Sequence, residues 1–135
     1  MDPNLKSQFF HCMRWLDRYQ TMLRITLFYK KTWTEQRDDP ERLKKHEKHC
    51  SQPYHVNCGN SVMEGGYLAG IRSRDCYTQS EIDQIIKYWH ENEIREESMV
   101  NAIKLDLATI KDLLTEEDVT KLTALWEIEY NYDII

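Results

Sequence analysis

The residues able to do chemistry in this 135-residue chain crowd into one stretch, His46-Glu-Lys-His49-Cys50-Ser-Gln-Pro-Tyr-His55-Val-Asn-Cys58-Gly59. His46 and Cys50 are four apart at the end of a predicted helix, which puts both on one face. His55 and Cys58 form an H-x-x-C pair followed by glycine, a spacing suited to a knuckle turn that aims two ligands at one ion. Two imidazoles and two thiolates make the closed tetrahedral set that structural Zn²⁺ prefers. His49 competes with His46, and Cys76 can replace either member of the second pair. Four protein ligands leave no open position, so such an ion would be structural rather than catalytic. The competing reading places His46 and His49 on a solvated basic helix and treats Cys50 and Cys58 as buried small hydrophobes.

A helix-borne H-x3-C followed by a loop cysteine resembles TAZ-type zinc clusters. The likeness covers the thirteen residues 46–58. The spacing beyond them departs from that pattern, so it implies a zinc ligand set and nothing further. Catalytic sets are thinner. Cys12, Cys50, Cys58 and Cys76 offer nucleophiles to any of five histidines, and so many pairings specify none. A His-Asn-His nuclease would draw on His46 or His55 with Asn57 or Asn60, but no ββα frame surrounds them. Glu96-Glu97 and Glu116-Glu117 suit solvated helix surface or first helical turns, where the helix dipole favours acids.

The elements that must position these groups read as helices. All four glycines, Gly59, Gly65, Gly66 and Gly70, fall in one twelve-residue window, and no proline follows Pro53. That excludes sandwiches and barrels, which need turn residues at regular intervals, and it excludes Gly-rich phosphate loops. Between Phe9 and Trp33, 14 of 25 residues are apolar or aromatic, so a helix from Asn4 or Ser7 to about Gln36 is apolar beyond the arc that one buried face needs. It is either central in the domain or shared with a partner chain. Asp39-Pro40-Glu41 starts a short basic helix to about His49. Thr78-Gln-Ser-Glu81 and Thr115-Glu-Glu-Asp118 open two further helices with the cap-and-acid signature, Asp118 being the weaker box acid. These runs match at a constant offset of 37, from Thr78/Thr115 to Trp89/Trp126, as any two capped amphipathic helices can. The polar stretch His90 to Glu97 predicts a bend or break.

Charge divides along the chain. Residues 1–58 hold 11 Lys and Arg against 7 Asp and Glu, and residues 59–135 hold 7 against 16, so +4 faces −9. Arg14, Arg18, Arg24, Lys31, Lys44, Lys45 and Lys48, interleaved with aromatic rings, would suit a nucleic-acid surface. The simpler expectation is that the basic helices pack beside the acidic ones and each neutralises the other.

The expected fold is therefore mainly α: a single domain, 1–135, with a long N-terminal helix packed against a C-terminal group of three or so helices. It comprises a basic helical half (1–50), a loop or β-hairpin module (51–77) and an acidic helical half (78–135). The leading functional expectation is a small non-enzymatic binding or regulatory protein, an oligomer or a partner-binder. Its partner interface would include Phe9, Trp15, Tyr19 and Trp33, with excess apolar surface buried by contact. Low glycine and alanine content also suits a phage or viral accessory factor. The alternatives are a nucleic-acid-binding protein with a His/Cys zinc knuckle, and a small metal-dependent hydrolase or nuclease. MDPNLKSQFF lacks the basic-then-apolar order of a signal peptide, and Arg24 interrupts the most apolar stretch, so a cytoplasmic or nuclear protein without a membrane segment is expected.

Overall fold

Asp-Pro dipeptides open the first two helices. In the computed structural model, which describes residues 1–50 and 76–134 but not the side chains of 48–50 and 130–134, helix α1 spans Pro3–Arg37 and α2 spans Pro40–Cys50. Asp2 accepts the Asn4 amide at 2.8 Å, and Asp39 accepts that of Glu41 at 3.1 Å. Each proline occupies the first helical position, where its missing N–H costs nothing. Helix α3, Gln79–Asp112, starts on a complete capping box. The Glu81 amide donates to Thr78 Oγ1 and the Thr78 amide to Glu81 Oε1, both at 3.1 Å. Helix α4, Glu116–Ile134, starts on Thr115, whose hydroxyl accepts the Asp118 amide at 3.1 Å.

The described chain is helical and contains no strand. The C-terminal group is two helices rather than three, because α3 runs unbroken through His90–Glu97. Polarity alone does not break a helix; glycine or proline does, and neither occurs between 79 and 112. Asn92 and Glu96 are in fact buried, on the helical line that continues to Val100, Ile103, Leu107 and Ile110. The expected module at 51–77 lies outside the described residues, except for Cys76 and Tyr77. No described helix is long and apolar enough to cross a membrane.

Two compact units divide the chain differently from the sequential halves. The first comprises Met1–Ile25 and Asn92–Ile135, the second Thr26–Glu91. In the first unit, Phe9, Leu107, Ile110 and Leu122 form the core, flanked by Phe10, Cys12, Met13, Leu16 and Leu114. Trp126 of α4 stacks on Phe10 with ring centroids 6.4 Å apart.

The second unit centres on Arg42, a buried cation on α2. Its guanidinium donates to the carbonyls of Gln36, Arg37 and Tyr77. Two of these belong to the last turn of α1, so the side chain caps that helix at the negative end of its dipole. Arg37 itself reaches α3 and donates through two nitrogens to both oxygens of Asp83.

That bond, more than the Arg37 charge acting at a distance, holds the Asp83 carboxyl below its ordinary pKa against a smaller opposing effect of desolvation. A carboxylate with a lowered folded pKa stabilises fully above the unfolded value, about 3.9, and loses that contribution as pH falls through the folded value. Wild type should therefore be more stable than Asp83→Asn at neutral pH, with the two converging as pH falls from about 5 to about 2. Urea midpoints measured across that range check it, and added salt should shrink the gap.

Candidate functional site

Of the candidate zinc set, only His46 and the alternate Cys76 have described side chains. His46 is half-buried on α2 and Cys76 is buried just before α3. His55 and Cys58, and the side chains of His49 and Cys50, lie outside the described residues. Among those described, no group of three or more His, Cys, Asp or Glu is placed to hold a metal ion.

The first unit offers a groove lined by α1 and α3. A cavity of about 460 Å³ includes His11, Cys12, Asp106 and Thr109 in its wall, and a neighbouring one of about 280 Å³ adds Trp15, Tyr19, Met99 and Ile103. His11, Cys12 and Asp106 border both. A thiol, an imidazole and a carboxylate together invite a nucleophilic reading, and the electrostatics oppose it. Partial burial first, and the Asp106 charge second, push the Cys12 thiol above its ordinary pKa. An activated cysteine needs the reverse shift. Cys12 should alkylate with iodoacetamide more slowly than a fully exposed thiol, and Asp106→Asn should quicken it by about twofold. Mass spectrometry of timed quenches measures both rates.

The expected interface residues separate. Phe9 has no exposed surface and belongs to the core, because the apolar line that continues through Leu16 turns it inward. Trp15 is exposed, with its ring tilted against half-buried Tyr19 at 5.9 Å. Trp33 is half-buried, edge-on to Tyr77 at 5.3 Å.

The second unit carries a ring cluster that composition did not single out. Tyr29 stacks on Trp89 with centroids 5.0 Å apart and planes 16° from parallel. Phe28 meets Tyr29 edge-on at 5.5 Å, and Tyr88 meets Trp89 the same way at 5.1 Å. Phe28 is 64% exposed and Tyr88 57%. The signal was the two adjacent aromatic pairs, Phe28-Tyr29 and Tyr88-Trp89. Neighbours on a helix are about 100° apart, so both members of a pair cannot face one core. Beside the rings, Lys30 donates to His90 Nδ1 at 3.1 Å, and Lys87 lies 4.0 Å from Glu91.

The basic residues stand outward. Arg14, Arg18, Arg24, Lys31, Lys44 and Lys45 are exposed; the Lys48 side chain lies outside the described residues. Arg18 covers the Trp15 ring at 5.3 Å, and Arg24 donates to Thr21 Oγ1 at 3.1 Å. The expected neutralisation occurs where Arg37 of α1 meets Asp83 of α3, whereas none of these six cations forms an ion pair among the described residues. Comparison with protein-family models, curated proteins and solved structures found no match.

Proposed function

We propose that this chain is a non-enzymatic binding protein that works through protein–protein contact, with the Phe28, Tyr29, Tyr88 and Trp89 cluster as its docking surface. The observation that carries this reading is the exposure of three of these rings, Phe28, Tyr29 and Tyr88, in a cluster already packed together. Aromatic side chains give large contact area for little lost conformational freedom and dominate interface energetics. Lys31 stands exposed next in sequence to this cluster's Lys30. The partner surface that fits is an aliphatic segment bearing acids.

The test places a photo-crosslinking residue at Phe28 in the native host and identifies what it captures. The captured protein is then titrated with wild type and with Phe28→Ala/Tyr88→Ala. Loss of about 2 kcal/mol or more, roughly a thirtyfold rise in Kd, supports the reading. Unchanged affinity in a variant of unchanged helicity overturns it.

A second reading, nucleic-acid binding, is favoured by exposed Arg14, Arg18, Arg24, Lys31, Lys44 and Lys45, none of which forms an ion pair among the described residues. Its affinity for short single- and double-stranded probes would fall steeply with salt. Absence of binding at low salt ends it. Zinc held by His46, Cys50, His55 and Cys58 belongs to this second reading as a structural support. Metal analysis of chelator-free protein beside Cys50→Ser/Cys58→Ser tests it.

A further inference from the structure

Two exposed helical faces of the first unit complement one another, and the same unit does not bring them into ionic contact. On α1, His11, Trp15, Arg18, Met22 and Ile25 recur at intervals of 4, 3, 4 and 3, and all five are exposed. On α4, Glu117, Lys121, Ala124 and Ile128 recur at 4, 3 and 4, again all exposed. This is the 3.5-residue repeat by which helices pack along a seam; on α1 it lies opposite buried Phe9 and ends where Thr26 turns inward, and on α4 it lies apart from buried Leu122. The α1 seam is about 21 Å long and the α4 seam about 17 Å, at 1.5 Å per residue.

Charge selects the pairing. Arg14 and Arg18 accompany the apolar residues of the α1 face. Glu127 and Glu129 flank Ile128 on α4, a helix with six acids and one lysine. None of these four charges forms an ion pair among the described residues. Arg18 instead lies over Trp15. On the α4 side, Leu125 is exposed and Ile128 is 66% exposed, so the acids border apolar surface that water now covers.

We propose that the α4 face of one copy packs on the α1 face of a second copy, with Ile128 and Leu125 against Trp15, Met22 and Ile25, and Glu127 and Glu129 toward Arg14 and Arg18. The two surfaces differ, so the contact is heterologous. Each added copy leaves one face of each kind open, and assembly continues until a ring closes. This association uses other residues than the ring cluster, and it stands or falls apart from the docking role assigned there.

Sedimentation velocity on the full chain, from about 1 μM to about 1 mM, reads the association directly. The expected wild-type result is a mass that rises with concentration and falls as salt goes from about 0.05 to about 0.5 M. Arg14→Glu/Arg18→Glu and Glu127→Lys/Glu129→Lys should each weaken self-association at least about tenfold, and mixing the two variants should restore it. Ile128→Lys should be monomeric, whereas Phe28→Ala/Tyr88→Ala should associate as wild type does. Circular dichroism confirms that each variant keeps its helices. A wild type that stays monomeric throughout overturns the proposal. So does a mixture of the charge-reversed variants that fails to associate, or association that nuclease treatment abolishes. Loss of association in Phe28→Ala/Tyr88→Ala also overturns it, because the contact would then run through the other unit.

Discussion

Arg42→Ala should lower the unfolding free energy by about 4 kcal/mol, a large effect for a charged residue. The guanidinium is buried, and all three of its hydrogen bonds go to main-chain carbonyls, two at the end of α1 and one at Tyr77. Hydrogen bonds from a charged donor contribute roughly 1.5–3 kcal/mol each, and their loss leaves the Gln36 and Arg37 carbonyls with long bonds at 3.4 Å from the Asp39 amide and Gln79 Nε2. Some recovery by water keeps the net below the sum. Arg42→Lys retains the charge at the helix C-terminus but cannot reach three carbonyls from one nitrogen, so about 2 kcal/mol should be lost. Lys44→Ala and Lys45→Ala, exposed on the same helix, should stay within about 0.5 kcal/mol. Urea unfolding followed by circular dichroism measures all four. A cost under about 1 kcal/mol for Arg42→Ala would show that the carbonyls find other donors.

Arg42 also shows where the sequence stopped being readable. In composition it is one of a run of cations on a short basic helix, alongside Lys44, Lys45 and Lys48. Which cation turns inward depends on where the end of α1 lies, a tertiary fact. The faint clue was helical spacing, since Arg42 and half-buried His46 are four apart on one face and Lys44 lies on the opposite side. Local signals did better, because their physics is local. Asp39-Pro40, Thr78 with Glu81, and Thr115 with Asp118 each capped the helix expected of them. Asp2-Pro3 carries the same cap as Asp39-Pro40 and moved the start of α1 ahead of Asn4.

The errors share a cause. The polarity of His90–Glu97 predicts a break, yet Asn92 and Glu96 are buried within a continuous α3. Hydropathy reports which residues prefer burial, and only the packing of neighbouring helices decides which positions receive it. The same limit governs the candidate interface. Apolar excess on α1 was visible as a count, but not which of its aromatics would be spent on the core. Phe9 and Phe28 could not be told apart by type.

That pair supplies the sharpest stability test. Phe9→Ala should cost about 4 kcal/mol, and Phe28→Ala less than about 1 kcal/mol, although both replace the same residue in the same helix. Phe9 has no exposed surface and sits among Leu107, Ile110 and Leu122, so truncation removes a ring from three side chains that cannot all close the gap. The loss combines the transfer free energy of the ring with that of the cavity left behind. Phe9 also meets Phe10 edge-on at 6.0 Å, a contact that disappears with it. Phe28 is already mostly in water, and its truncation forfeits chiefly the edge contact with Tyr29. Phe9→Leu, which refills most of the volume, should recover more than half of the alanine cost. Urea midpoints at constant m-value give the comparison. Equal costs at positions 9 and 28 would mean that Phe28 is covered in the protein as it exists in solution. Midpoints that then move with protein concentration would identify that cover as association, since an oligomer's stability depends on its concentration and a monomer's does not.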